Sequence, residues 1–342
     1  MKPKFSICIP NYNYAHYIDI TLASVHNQLY SDFEVIISDN ASTDKSLEVI
    51  QKYAHTDKRI NYKVNPTNIG FAGNLDEAGR MANGDWMIML SSDDVMKEHA
   101  LTAYHQFIQL VPSDEQFAFC STFEKIDSDG HFIERLGPNS LWKTGDIDQD
   151  LTSKMGYDVY KVKASEMLKR SITKFLNPFN FASTCYPQER YHRVGGYGGG
   201  RLYNPDKWFH WKILTEVDFV YFLDAPLFQY RWHTSNQAAQ QSQSQILKYW
   251  LDEYRNCFEI SDSMFQKTGL HTNSVPQYFI DRCIIPYVFN YLKQGQDLLA
   301  RRLLNFGLSC YPIQIKQNKY YYPLWLLSRI PFSKLLLKFV TH

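Results

Sequence analysis

The 342-residue sequence is short of several things, and each shortage removes a class of protein. It contains no run of 18 apolar residues, so no transmembrane helix is expected. Its six cysteines (Cys8, Cys120, Cys185, Cys257, Cys283 and Cys310) form no CxxC pair, and most sit in apolar sequence. That pattern predicts buried free thiols in a reducing compartment, not a secreted disulfide scaffold. Glycine (16) and proline (14) are too few for a collagenous or low-complexity chain. Net charge is almost absent, +1 from 36 basic and 35 acidic residues, which leaves no footprint for nucleic acid. The first apolar run, residues 5–9, is stopped by Pro10 and Asn11 and is too short for the core of a secretion signal.

What is present suits a folded α/β protein. Hydrophobic residues make up 44% and aromatics 15%, ample for a sizeable core. The length predicts two domains, or one domain with an extension. Residues 5–9, 33–37, 60–64 and 86–90 read as strands, and residues 15–29, 44–53, 72–83 and 97–110 as helices. This alternation predicts βαβ units and a parallel sheet, whose ligands bind beyond the C-terminal strand ends. Three polar segments fall there: Pro10-Asn11-Tyr12-Asn13, residues 38–44, and Ser91-Ser92-Asp93-Asp94. Residues 127–160 read as a loop-rich insertion and 163–175 as a helix. The glycines of 195–200 precede a turn at Asn204-Pro205, a helix near 205–215 and a strand at 217–223. A Gln/Ser tract at 237–245 leads into a helical, aromatic-rich remainder.

Asp93 and Asp94 end a buried strand. Two adjacent carboxylates there either hold a hard cation or occupy a solvated turn or helix cap. Asp39 ends the second strand. As an acceptor it suits the imide N–H of uracil or thymine, and equally it suits turn chemistry.

Four segments occur in order: Ser-Ile-Cys-Ile-Pro-Asn-Tyr-Asn (6–13), Phe-Glu-Val-Ile-Ile-Ser-Asp-Asn-Ala-Ser-Thr-Asp (33–44), Asn-Ile-Gly-Phe-Ala-Gly-Asn (68–74) and Gly-Asp-Trp-Met-Ile-Met-Leu-Ser-Ser-Asp-Asp (84–94). Together they resemble the family 2 glycosyltransferases, inverting enzymes of GT-A fold. The resemblance covers about residues 4–235 and is most specific over the first 95. It implies a GT-A domain at 1–235 with a mostly parallel nucleotide-binding sheet, and a helical C-terminal extension at 236–342. It implies that Pro10, Asn11, Tyr12 and Asp39 line the base and ribose pocket, with Asn68, Gly70, Asn74, Ser91 and Ser92 on the nucleotide side and Arg80 near the diphosphate. Asp93 matches the second aspartate of the family's Asp-x-Asp motif, the ligand of Mg2+ or Mn2+, with Asp94 as the alternative register. The motif's first aspartate is replaced by Ser91, which brings no charge. Gly195, Gly196, Tyr197 and Trp208 match the acceptor side, and Asp206 the catalytic base. Relatives often carry a second acid just before that base, where this chain has Pro205. Tyr230-Arg231-Trp232-His233 matches a segment closing on the diphosphate. There Arg231 binds phosphate oxygens and His233 completes the metal shell or binds a phosphate oxygen, although a lone histidine is more often structural.

The implied function is transfer of a sugar from a UDP- or dTDP-sugar to a glycan or lipid-linked glycan hydroxyl, in cell-surface polysaccharide synthesis. Two rivals stand beside it. A sugar-1-phosphate nucleotidyltransferase needs a glycine-rich loop after the first strand, where this chain has Pro-Asn-Tyr-Asn-Tyr. A non-catalytic binding protein on the same fold is favoured only by Ser91. The charge also divides. Residues 301–342 hold seven cations (Arg301, Arg302, Lys316, Lys319, Arg329, Lys334 and Lys338) and no acid, so the tail carries +7 and residues 1–300 carry −6. With Tyr320, Tyr321, Tyr322, Trp325, Leu326, Leu327, Leu335, Leu336 and Leu337 alongside, the tail suits an anionic membrane surface at the cytoplasmic face, or equally a helix packed on the chain.

Overall fold

The computed structural model describes residues 2–198, 205–233 and 243–330. Asn204, Gly199, Gly200, residues 237–242 of the Gln/Ser tract, and Lys334, Leu335, Leu336, Leu337 and Lys338 lie outside the described residues. The backbone divides into two compact units. The first comprises Met1–Met167 and Asn177–Gln245, the second Leu168–Leu176 and Ile246–His342.

The first unit opens with alternating elements: β1 (Phe5–Asn11), α1 (Ala15–His26), β2 (Phe33–Asp39), α2 (Ser46–Thr56), β3 (Ile60–Val64), α3 (Phe71–Met81) and β4 (Trp86–Met89). Next come β5 (Val95–Met96), α4 (Ala100–Leu110), β6 (Phe117–Ile126), β7 (Phe132–Leu136), α5 (Gln149–Met155), β8 (Val159–Lys163) and α6 (Ala164–Lys174), whose residues from Leu168 onward belong to the second unit. The unit closes with β9 (Cys185–Pro187), α7 (Gln188–Arg193), α8 (Pro205–Glu216) and β10 (Phe219–Arg231). The strands form one sheet in the order β3-β2-β1-β4-β9-β6-β10-β5, with β7 added to β6 and β8 to β10.

β1, β2, β3 and β4 are mutually parallel, in the register Phe5↔Phe33 and Phe5↔Trp86. Beyond β4 the sheet is mixed. β9 runs antiparallel to β4 and β6, while β6 and β10 are parallel. The sequence reading missed β6 and β9, and read 127–160 as loop where β7, α5 and β8 form. It also ended the last strand too early. β10 runs on to Arg231 through a register shift between Leu223 and Phe228, where Asp224-Ala225-Pro226 interrupts the apolar pattern.

The aromatic content is spent on the core. Tyr104, Phe107, Phe117, Phe119, Tyr221 and Phe228 are buried together, with ring centroids about 5–6 Å apart. All six cysteines are free thiols.

The second unit is helical: α9 (Gln243–Glu259), α10 (Asp262–Thr268), α11 (Val275–Phe279), α12 (Ile285–Lys293), α13 (Asp297–Cys310), α14 (Pro312–Gln317) and α15 (Tyr321–Leu327). A π-helical turn at Ile280–Ile284 joins α11 to α12, ahead of Pro286, whose ring and missing N–H disturb the regular ladder. No helix among the described residues is long and apolar enough to cross a membrane.

Candidate active site

The parallel strands deliver their polar ends to one edge of the sheet. At the end of β1, Asn11 Nδ2 donates to Asp39 Oδ2 at the end of β2, at 2.7 Å. Asp39 also accepts from Ser42 Oγ (2.7 Å) and the Ser42 N–H (2.9 Å), so its carboxylate is held on three sides while 1% exposed. Asn11 Oδ1 is buried and has no hydrogen-bond partner among the described residues. An acceptor left open beside a fixed carboxylate suits a ligand that brings N–H or O–H groups. Pro10 is buried above this pair, and Tyr12 lies exposed at the rim.

Asp44 ties the loops together. Its carboxylate takes the Ala15 N–H at the start of α1 and the Ser46 N–H at the start of α2, both at 2.9 Å. Its burial is outweighed by these bonds, which hold its pKa below the ordinary carboxylate value. Ala41 and Asn13 have positive φ (60° and 57°), which the tight loop crossing demands.

Asn68 and Gly70 lie exposed at the same edge, where the Asn68 carboxamide takes the Gly70 N–H (2.8 Å) and the Asn40 amide (2.9 Å). Asn74 is different. It is 2% exposed, donates to Asn11 O (3.2 Å) and Ser38 O (3.0 Å), and accepts from Ser38 Oγ (2.7 Å) and Asn65 Nδ2 (3.0 Å). It braces the ends of β1 and β2 and has no capacity left for a nucleotide. Arg80 is corrected outright. It sits in the last turn of α3 and pairs with Glu77, near the return to β4, at the opposite edge of the sheet.

After β4, Ser91 is half-buried, and Ser92 and Asp93 are buried. Asp93 Oδ2 lies 3.0 Å from His233 Nε2, a buried pair 140 residues apart in sequence. Tyr17 and Tyr14 pack their rings on His233 at 4.7 and 5.9 Å. Neither tyrosine carries a sequence signal of its own. Asp94 turns inward. Its Oδ1 accepts the Arg231 N–H (3.0 Å), and burial, then the Asp93 charge, push its carboxyl well above the usual range. Arg231 is likewise a correction. Its guanidinium is 2% exposed and donates to Asp93 O (3.0 Å), Asp127 O (3.2 Å) and Ser128 O (3.2 Å). It anchors the acidic turn to the end of β6 instead of presenting itself to a diphosphate.

The residues fit a divalent cation. Two cis ligands of an octahedral ion, each about 2.1 Å from it, are about 3.0 Å apart. The spacing of Asp93 Oδ2 and His233 Nε2, 3.0 Å, is that of a hydrogen bond and also allows such a pair of ligands.

Asp206 opens α8, where its carboxylate meets the helix N-terminus. Asn177 Nδ2 donates to Asp206 Oδ2 at 2.7 Å. The loop carrying Asn177 lies at the same edge as the other residues. It enters β9, which runs antiparallel to β4, and its Phe181 packs on Phe71 at the start of α3.

Trp208, two residues after Asp206 in α8, is half-buried. Tyr197 is not on an acceptor face. It is 1% exposed and stacked on Phe209 at 4.1 Å. Gly195 and Gly196 form the turn that delivers it, with φ of +72° and +63°. Lys212 Nζ closes that turn on Val194 O and Gly196 O.

Comparison with known proteins places this geometry. Residues 6–158 match the model described as Glycosyl transferase family 2. A putative teichuronic acid biosynthesis glycosyltransferase of Bacillus subtilis is 35% identical over 41% of this chain and 55% of its own length. The GalNAc(5)-diNAcBac-PP-undecaprenol beta-1,3-glucosyltransferase of Campylobacter jejuni is 26% identical over 49% of this chain and 53% of its own. The chain thus spans about half the length of these curated relatives. The solved structure of Staphylococcus aureus TarS 1–349 with UDP-GlcNAc aligns over 99% of this chain and 92% of its own, with a TM-score of 0.65 at 16% identity, and so shares its fold. Residues 6–158 of this chain thus match the Glycosyl transferase family 2 model, on a fold shared with the TarS structure.

Proposed function

We propose that this protein is an inverting glycosyltransferase that moves a sugar from a UDP- or dTDP-sugar to a hydroxyl of a glycan or lipid-linked glycan in cell-surface polysaccharide synthesis. Residues 1–235 form its transferase domain and 236–342 an extension. The relatives support this reading by name, since they include a teichuronic acid enzyme and an undecaprenol-linked glucosyltransferase. The observation that carries it is the pairing of Asp93 with His233 on the sheet edge that also holds the Asn11–Asp39 pocket.

Asp39 accepts the imide N–H of the base, with Asn11 Oδ1 open to a second ligand donor. Asp93 and His233 would hold Mg2+ or Mn2+. That ion, when bound, offsets the negative charge gained by the departing diphosphate. Arg231 and the buried Asp94, whose carboxylate accepts the Arg231 N–H, keep the acidic turn in one conformation. Asp206 takes the proton from the acceptor hydroxyl, on the face opposite the leaving group, which inverts the anomeric carbon. Membrane contact through 301–342, at the cytoplasmic face, belongs to the same proposal. α15 exposes Tyr322, Trp325 and Leu326, with Arg329 stacked on Trp325.

The test is a thermal-shift panel of nucleotide sugars with Mn2+, followed by turnover. A ligand at 100 times its Kd adds about 2.7 kcal/mol of stability. Asp206→Asn is expected to lower turnover about 10²- to 10⁴-fold while keeping the donor-induced shift. No metal-dependent shift or turnover with any nucleotide sugar would instead favour a non-catalytic binding protein.

A further inference from the structure

We infer that Asn177 and His210 are positioning residues that lock the Asp206 carboxylate in one orientation. The inference rests on the reading of Asp206 as base. Three hydrogen bonds define the arrangement. Asn177 Nδ2 donates to Asp206 Oδ2 at 2.7 Å. Asn177 Oδ1 lies 2.7 Å from His210 Nδ1. The same Oδ1 accepts the Phe179 backbone N–H at 3.4 Å.

A backbone N–H can only donate, so the Asn177 atom facing Phe179 is the oxygen, and the amide orientation follows from the chain itself. With the oxygen there, His210 Nδ1 must carry a proton. The amide N–H groups then point at Asp206 and favour its ionised form. His210 is 1% exposed, and Phe179 meets its ring edge-on at 5.2 Å. Its Nε2 is buried with no hydrogen-bond partner among the described residues, which suits a neutral ring with a bare Nε2. Asp206 and His210 stand one turn apart on α8, so a single side chain can bridge them. The bridging loop is itself pinned, because Asn139 Nδ2 donates to Asn177 O (3.0 Å) and Trp142 Nε1 to Pro178 O (3.2 Å). Only one arrangement of protons satisfies this chain, and it ends on the carboxylate oxygen.

Two measurements test it. Nitrogen-15 histidine NMR of the full chain at pH 6–8 should show His210 as the neutral Nδ1–H tautomer. An Nε2–H tautomer or an imidazolium would overturn the arrangement. Kinetics use nucleoside diphosphate release with Mn2+ and the nucleotide sugar that turns over fastest in a panel. His210→Phe keeps the ring but removes the donor, Asn177→Ala removes the bridge, and His210→Asn restores an N–H near the Nδ1 position. In the first two, kcat should fall at least about tenfold with KM for the nucleotide sugar within about twofold, and His210→Asn should recover to within about threefold of wild type. Wild-type kcat in His210→Phe and Asn177→Ala, beside an impaired Asp206→Asn, would refute the positioning role alone. Wild-type turnover in Asp206→Asn would refute the base assignment instead, and the tautomer would still decide the geometry.

Discussion

Gly195 and Gly196 are adjacent, both at positive φ, yet alanine at the two positions should behave very differently. A Cβ on Gly195 would meet nothing within 4 Å. Gly195→Ala therefore carries only the left-handed backbone cost, about 1–2 kcal/mol. A Cβ on Gly196 would stand 2.4 Å from Asp76 Oδ1 and 2.8 Å from the Tyr191 hydroxyl. Asp76 Oδ1 is where two donors converge, Tyr191 Oη at 2.9 Å and the Tyr197 N–H at 2.7 Å. Displacing that carboxylate loses two bonds to a charged acceptor, each about 1.5–3 kcal/mol. With the backbone cost of about 1–2 kcal/mol, Gly196→Ala should lose about 4–8 kcal/mol. Urea denaturation followed by tryptophan fluorescence reads the contrast. If the two variants lose the same stability, the clamp from Asp76 to the Tyr197 turn is wrong. If both keep full stability but raise KM for acceptor, these glycines contact acceptor, as the family resemblance implied.

Three further outcomes are expected. His210, held by burial down to about 3, stays neutral while the unfolded chain takes a proton near pH 6.5. Its folded value is depressed, so stability is complete above about pH 6.5 and falls toward pH 3, by up to about 1.4 kcal/mol per pH unit. Urea titrations from pH 4 to 7 should show a shallower slope in His210→Asn, and equal slopes would refute a buried neutral ring. Arg231→Met removes the donor to three carbonyls and the cation beside Asp94, and should cost about 3–5 kcal/mol even without nucleotide. An unchanged Tm with weakened diphosphate binding would return Arg231 to the role the sequence suggested. On α15, Tyr321, Leu324 and Leu327 are buried and Leu326 is 55% exposed, so Leu326→Glu tests the surface without opening the core. It should reduce co-sedimentation with phosphatidylglycerol vesicles, and unchanged binding would leave the tail without a membrane role.

The sequence made Asp39 and Asp93 visible because a polar residue directly after a buried parallel strand has only one place to go, the C-terminal edge. That inference needs no side-chain contact. Arg80 failed because it needs one. It follows Asn74 by six residues on a helix, which carries it about 9 Å back across the sheet. Arg231 failed for another reason. A charged residue at a strand end is usually solvated, and only the carbonyls of Asp127 and Ser128, a hundred residues earlier, show why this one is buried. Asn177 lay in a loop without periodicity, and its partners are 29 and 33 residues away.

The choice between Asp93 and Asp94 shows where local pattern stops. Both follow the same strand and both are buried, so composition and spacing treat them alike. Their surroundings do not. Asp94 Oδ1 is occupied by the Arg231 backbone N–H, and burial with the neighbouring Asp93 charge favours its neutral form. A carboxyl whose ionised form is disfavoured is a weaker ligand for a hard cation, because less attraction offsets dehydration. Asp93 instead meets His233, and its backbone carbonyl is held by Arg231 Nε at 3.0 Å. The inward acid and the arginine thus fix the backbone from which the outward acid projects. On this argument Asp94→Asn, which keeps the side chain's shape, should retain metal-dependent turnover within about tenfold. Asp93→Asn should lose it, and the reverse order would move the ligand to Asp94.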